Sequence, residues 1–248
     1  MIGTTMPTPL YPLYEQELGF GGLMVTVVFA TYAVGVLAAL LLVGRLSDQV
    51  GRKAVLLPGI GVAAASSLVF LIPDSLPALF AGRLLSGVSA GVFTGVATAT
   101  IVDLAPPTGR ARAGLLAAMV NMLGLGLGPV LSGALADLAP YPLVLPYLVH
   151  IALLAVAAVG LAVVPEPVPR RPGPVRWQVQ RIGVPDEVRP TFVRAAVGGF
   201  AGFAVLGFFT AVSPLFLGQV LHETRHIVPG LVVFAVLGSS TAGQLLSA

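Results

Sequence analysis

Met24–Val43 is a run of twenty residues without one charged side chain. As a helix it reaches about 30 Å at 1.5 Å per residue, the thickness of a bilayer's hydrocarbon core. Similar runs follow at Ala54–Ile72, Leu76–Val102, Ala113–Leu138, Pro142–Val164, Phe192–Leu217 and Ile227–Ala248. Only 9% of residues are charged and 56% are hydrophobic, at a mean hydropathy of +0.97, too little polarity to clothe a water-soluble domain of this size. Backbone polar groups in lipid must be paired internally, and the runs are continuous rather than alternating. The expected class is therefore an all-α integral membrane protein and not a β-barrel.

The first two runs are joined by Gly44–Lys53, GRLSDQVGRK. Spans joined this tightly are antiparallel neighbours, so the loop's charges gather at one membrane face. With Leu56, the stretch fits G-x-L-[small]-D-x-x-G-R-[KR]-x-x-L at Gly44, Leu46, Ser47, Asp48, Gly51, Arg52, Lys53 and Leu56. It resembles the signature loop between the second and third helices of the major facilitator superfamily of transporters. That resemblance implies a bundle of two six-helix halves that moves a small molecule by alternating access. It also implies that Asp48 and Arg52 help hold one side closed, with Asp103 as the acidic partner of Arg52. The residues alone permit a plainer reading, a solvated basic loop and a helix-end acid. Asp48 and Arg52 lie one turn apart if the third helix starts early.

Met1–Phe20 lacks the features of a signal peptide. It reads as the outer end of a helix followed by a polar loop, broken by Pro7, Pro9 and Pro12. Pro165–Thr191 is Pro-rich and carries Arg170, Arg171, Arg176, Arg181 and Arg189. It marks a boundary between an N-terminal transmembrane bundle (1–164), a linker (165–191) and the start of a second bundle (192–248). Basic residues fall in the Gly44–Lys53 loop, at Arg110 and Arg112, and in this linker, whereas the loops near Asp74, Asp137 and Glu223 offer only Arg225. The positive-inside rule then makes the signature loop and linker cytoplasmic. Of the 13 basic residues all but Lys53 are Arg, which points to a GC-rich bacterial genome and a bacterial inner membrane.

An internal repeat runs at an offset of 205 residues: Pro9-Leu10-Tyr11 aligns with Pro214-Leu215-Phe216, and Val27-Val28-Phe29-Ala30 with Val232-Val233-Phe234-Ala235. Parallel halves are how facilitator transporters are built. At this offset most of the first helix falls before Met1, and Ala248 corresponds to Val43. The expectation is a piece, clipped at both ends, of a chain of about twelve spans: the N-terminal six-helix half, its first helix largely missing, plus the first two helices of the other half.

Arg83 is the one base deep in a span, costly there unless it faces protein or a wet cavity. Its context resembles the family's fourth-helix pattern R-x-x-x-G, which implies a cavity-lining, coupling role; snorkelling to the interface is the alternative. Gly87 and Gly91 suit close helix packing. Gly124, Gly128, Pro129 and Gly133 resemble the family's fifth-helix motif, associated with exporters that exchange substrate for protons. Physically, they permit close approach and a bend. Asn121 is a candidate for the cavity wall, and Tyr32 and Tyr147 are more in keeping with packing. His150 reads as a satisfied buried histidine, and His222 and His226 as outer-loop residues.

Cysteines are absent, which excludes disulfides and thiolate metal sites. The net charge of +3 does not signal nucleic-acid binding, because the bases are scattered over separate loops. Gly87-Val88-Ser89-Ala90-Gly91 imitates a hydrolase elbow and Gly59–Ala64 a dinucleotide fingerprint, but both lie within apolar runs. No cofactor, metal or enzymatic activity is expected. The expected function is secondary transport, tilted toward proton-coupled export, by a monomer whose partners are a small-molecule substrate, protons and the bilayer. A nutrient importer or uniporter, a membrane scaffold and an intramembrane hydrolase are the alternatives.

Overall fold

A computed structural model describes every residue except Arg45, Pro73, Asp74, 171–174, 176–182 and 247–248, with the backbone alone for 244–246. The expectations for the linker bases Arg171, Arg176 and Arg181 and the loop acid Asp74 lie outside the described residues. The described residues form helices and turns and no strand.

The chain opens with α1 (Ile2–Thr5), a 3-10 turn (Thr8–Leu10) and α2 (Tyr11–Leu18). This corrects the sequence reading of a polar loop after Pro12. The prolines break the helix into short pieces without ending the helical path, which continues to Gly19, whose φ of 67° supplies the left-handed stop. The long helices are α3 (Gly22–Val43), α5 (Lys53–Phe70), α6 (Leu76–Val92), α8 (Arg110–Leu138), α9 (Leu145–Val163), α10 (Arg189–Gln219) and α11 (Ile227–Leu246). A one-turn helix α4 (Ser47–Val50) lies between α3 and α5. A π-turn at Phe93–Ala97 joins α6 to α7 (Thr98–Leu104), so the two make one span.

Among the described residues, six helices or helix pairs are long and apolar enough to cross a bilayer. Their outward faces carry exposed Leu, Val and Phe, as at Leu37, Val156, Val159, Phe200 and Phe203. The chain is a multi-pass membrane protein.

The interior is packed through small residues. A Cβ on Gly87 would overlap the carbonyl of Tyr32, one on Gly35 the carbonyl of Leu84, and one on Gly91 would lie 2.6 Å from that of Val36. Helices α3 and α6 therefore touch backbone to backbone, which hydrocarbon favours because apolar side chains gain little from leaving it. An aromatic cluster fills the end of the bundle near Gly19. Tyr147 stacks on Phe70 at 5.0 Å, and the Tyr14 hydroxyl donates to that of Tyr147 at 3.1 Å. α11 starts 205 residues after α3, and the equivalent residues Val28 and Val233 are both fully buried.

Candidate functional site

The signature loop is held by charge. Gly44 closes α3, and Gly51 has a φ of 99° that an L side chain rarely adopts. That turn separates α4 from α5. Asp48 and Arg52 therefore pair across two helices rather than along an early third helix, at 2.7 Å. Arg52 Nε and Nη2 both reach Asp103 Oδ2, at 3.0 and 2.9 Å, and Nη1 donates to Ser47 Oγ at 2.6 Å. The guanidinium thus ties α4, α5 and the end of α7 together, and Arg52 is only 9% exposed. Charge-assisted bonds from a planar fork to two carboxylates are strong and geometrically demanding.

A further acid, Glu166, joins this site, and the sequence reading placed it in the linker. Its carboxylate accepts from the backbone N–H of Arg52 and of Lys53, both at 2.8 Å, and from Val168 N at 3.2 Å. Lys53 Nζ donates to the carbonyls of Ala162 and Val164, each at 2.8 Å. Glu166 therefore caps the N-terminus of α5 while Lys53 caps the C-terminus of α9, each charge matching the helix dipole it meets. Desolvation pushes the Glu166 carboxyl up, but the three N–H donors and the Lys53 charge outweigh it and hold the group below its ordinary range. The sequence signal was available: an acid just past one span and unpaired N–H groups at the start of its antiparallel neighbour.

Arg83 lies 1% exposed on α6. Its Nη1 donates to the carbonyl of Thr4 at 2.6 Å, and its guanidinium sits 4.9 Å from the Tyr32 ring centre and 5.2 Å from that of Phe29. Because α1 ends at Thr5, the Thr4 carbonyl is one of those a helix terminus leaves free. The side chain is thus enclosed by protein rather than extended to an interface, with Nε unpaired among the described residues. Asn121 on α8 likewise has a buried Oδ1 without a partner.

The small residues of α8 serve two faces. Gly124 and Gly128 meet α1: a Cβ on Gly128 would overlap the carbonyl of Ile2, and one on Gly124 would sit 2.9 Å from Met1 Cβ. Pro129 lacks the N–H that would bond the carbonyl of Leu125 four residues back. Thr5 Oγ1 donates to that carbonyl at 2.6 Å, and Ser132 Oγ donates to the carbonyl of Met6 at 2.7 Å. On the other face, Gly126 packs on Phe234, a Cβ on Gly133 would overlap the carbonyl of His226, and one on Gly230 of α11 would lie 2.5 Å from that of Pro129. Among the described residues, the hydrogen bonds between these two helices come from Asp137, at the end of α8. It accepts from His226 N, His226 Nδ1 and Ile227 N, all at 2.8 Å. A cavity of about 540 Å³ opens at this end between α2, α10 and α11, lined by Pro9, Glu15, Gln16, Pro214, His222 and Glu223.

Among the described residues no group of three metal-binding side chains comes together. The Ser89 hydroxyl of the hydrolase-like pentapeptide donates to the carbonyl of Gly59 at 3.0 Å, inside the α5–α6 contact.

Comparison with known proteins agrees with this architecture. The family model for the Major Facilitator Superfamily matches residues 1–248. The quinolone resistance protein NorA of Staphylococcus aureus is 27% identical over 139 residues, which is 56% of this chain and 36% of NorA. An uncharacterised MFS-type transporter of Methanocaldococcus jannaschii is 29% identical over 150 residues, 59% of this chain and 38% of that one. The matched stretch thus spans little more than a third of those relatives' length. The human organic anion transporter MFSD10 (TETRAN) has a similar structure, with a TM-score of 0.60 at 20% identity over 98% of this chain and 67% of that one. The chain belongs to the Major Facilitator Superfamily.

Proposed function

We propose that this chain forms the transport path of a secondary active transporter that exports a small molecule in exchange for protons. Its moving parts are a bundle over residues 1–164 and a second bundle that begins at residue 192, joined by the linker 165–191. The observation that carries this reading is the two-faced packing of α8. One face is pinned to α1 and the turn after it by side-chain hydrogen bonds from Thr5 and Ser132; the other meets α11 closely through Gly126, Gly133 and Gly230, with hydrogen bonds to the side chain of Asp137 at the end of α8. A helix held on one side and packed through small residues on the other can tilt across a partner while keeping its contact with α1, a motion that alternating access can use.

In this reading the Arg52 network is the clasp of the cytoplasmic face, and Asp137 with His226 and Ile227 closes the outer face. Arg83 and Asn121, whose unpaired atoms are buried, supply polar contacts for the transport path. The quinolone-resistance name of the staphylococcal relative supports an amphipathic drug-like substrate. A uniporter or importer remains the second reading, because every described carboxylate lies at a helix end or in a loop, leaving no acid in mid-span to carry a proton.

The test uses the chain in proteoliposomes with norfloxacin, a fluorescent quinolone. Norfloxacin should move toward the acidic side against its own gradient, and an ionophore that collapses the proton gradient should stop it. Norfloxacin equilibration that ignores the gradient would instead establish uniport.

A further inference from the structure

We propose that His150 is a proton-binding site of the transport cycle, and that charging it drives α1 away from α5 and α9. This rests on the proton-coupled reading above. His150 is 7% exposed on α9, and its Nδ1 lies 2.7 Å from Ser67 Oγ of α5. Its ring presses on α1 so closely that a Cβ on Gly3 would overlap it. Beside it lies a cavity of about 130 Å³, lined by His150, Gly3, Thr4, Ser66, Ser86 and Ser89. Ile60, Phe93 and Leu154 make part of its wall apolar, but it is large enough for several waters, which the hydroxyls and the imidazole can hold, so a proton has a route to the ring.

Charge makes the site responsive. Thr4, the neighbour of Gly3, gives its carbonyl to the Arg83 guanidinium. A proton on His150 therefore places a second buried cation across the same turn of α1. The titratable groups that face it are the Met1 amino group from α1, Arg83 from α6 beyond that turn, and Tyr147 one turn away on its own helix. None of these is a carboxylate, and α5 contributes the hydroxyls of Ser66 and Ser67 at this level. An imidazolium without a counter-ion in low dielectric is unfavourable, so protonation favours the arrangement in which α1 parts from α5 and α9 and water reaches the ring. Because all other described imidazoles lie outside the spans, His150 supplies the ionisable group that the carboxylates do not.

The experiment combines two readouts on the 248-residue chain in liposomes between about pH 8 and pH 5.5, the range over which histidine changes charge. Nitrogen NMR of histidine-labelled chain, assigned by difference from His150→Gln, follows the protonation of the ring. The chain has no cysteine, so Ser86→Cys reports access to the cavity through its rate of reaction with a small thiol reagent. The pKa of the introduced thiol, measured with His150 and in the His150→Gln background, separates access from thiolate population. The imidazole is expected to charge as pH falls. Labelling at pH 5.5 should then be about fivefold faster with His150 than with Gln, and equal at pH 8, as a shift of a two-state population requires. Ser89→Cys gives the same readout should Ser86→Cys misfold. A ring still neutral at pH 5.5, or one that charges with no excess labelling, overturns the proposal. Proton-independent norfloxacin movement beside a charging, opening His150 site overturns the coupled-export reading alone.

Discussion

The Thr5 hydroxyl donates at 2.6 Å to the carbonyl of Leu125, the acceptor that Pro129 leaves unbonded within α8. A break in one helix is thereby satisfied by a side chain from another, which a bilayer demands because no water is at hand. Thr5→Val leaves that carbonyl orphaned and should cost about 1–2 kcal/mol. In a Pro129→Ala background the α8 backbone can bond Leu125 itself, and the same change should then cost little. Thermal unfolding of the four variants in detergent measures the coupling. Additive losses contradict the repair.

Glu166 couples stability to pH. Its carboxyl is held below the ordinary range, so its contribution is present above the unfolded-state value and is lost as pH falls through the lowered one. The group is exposed, which limits the effect to about 1 kcal/mol or less. The melting temperature of the wild type should exceed that of Glu166→Gln near neutral pH, and the two should converge toward about pH 3. A constant gap across this range means the carboxylate charge is not what holds α5.

Gly133 meets the backbone of His226 with no room for a side chain. Gly133→Val should force α8 from α11 and lower stability by about 1–3 kcal/mol, the usual cost of overpacking. Gly114, with open space around it, is the control, and Gly114→Ala should be neutral or slightly stabilising. Equal effects at the two positions argue against a backbone contact.

Asp48→Asn keeps the shape of the signature loop and removes one of the two carboxylates on Arg52. It should slow norfloxacin exchange across proteoliposomes by about tenfold, equivalent to about 1.4 kcal/mol, with little change in half-saturation. An unaltered rate removes Asp48 from the clasp.

Much of this was legible in the sequence because lipid imposes few solutions. The apolar runs marked the long helices to within three residues at most ends, and the family resemblance implied that Arg52 meets Asp48 and Asp103. The failures have local causes. Proline usually ends helices in water, yet Pro7, Pro9 and Pro12 only break the first one into short pieces, whose freed groups find partners in Arg83 and Ser132. Gly51, with its positive φ, turns the chain between α4 and α5, so the expected Asp48–Arg52 spacing formed across a break. Glu166 was missed because the sequence shows an acid past one span and free N–H groups at the start of another, but not that the two meet. The split of the α8 glycines between α1 and α11 follows from their angular positions, but periodicity alone does not say which neighbour each face meets.

The central claim is that α8 moves across α11 while staying with α1 and α2, and paired spin labels test it most directly. Leu138 at the end of α8, Gln16 on α2 and Leu221 ahead of α11 are all exposed. Lowering pH or adding norfloxacin should change the Leu138–Leu221 distance distribution and leave Leu138–Gln16 unchanged. Both distances fixed under every condition, or both shifting together, would contradict the account.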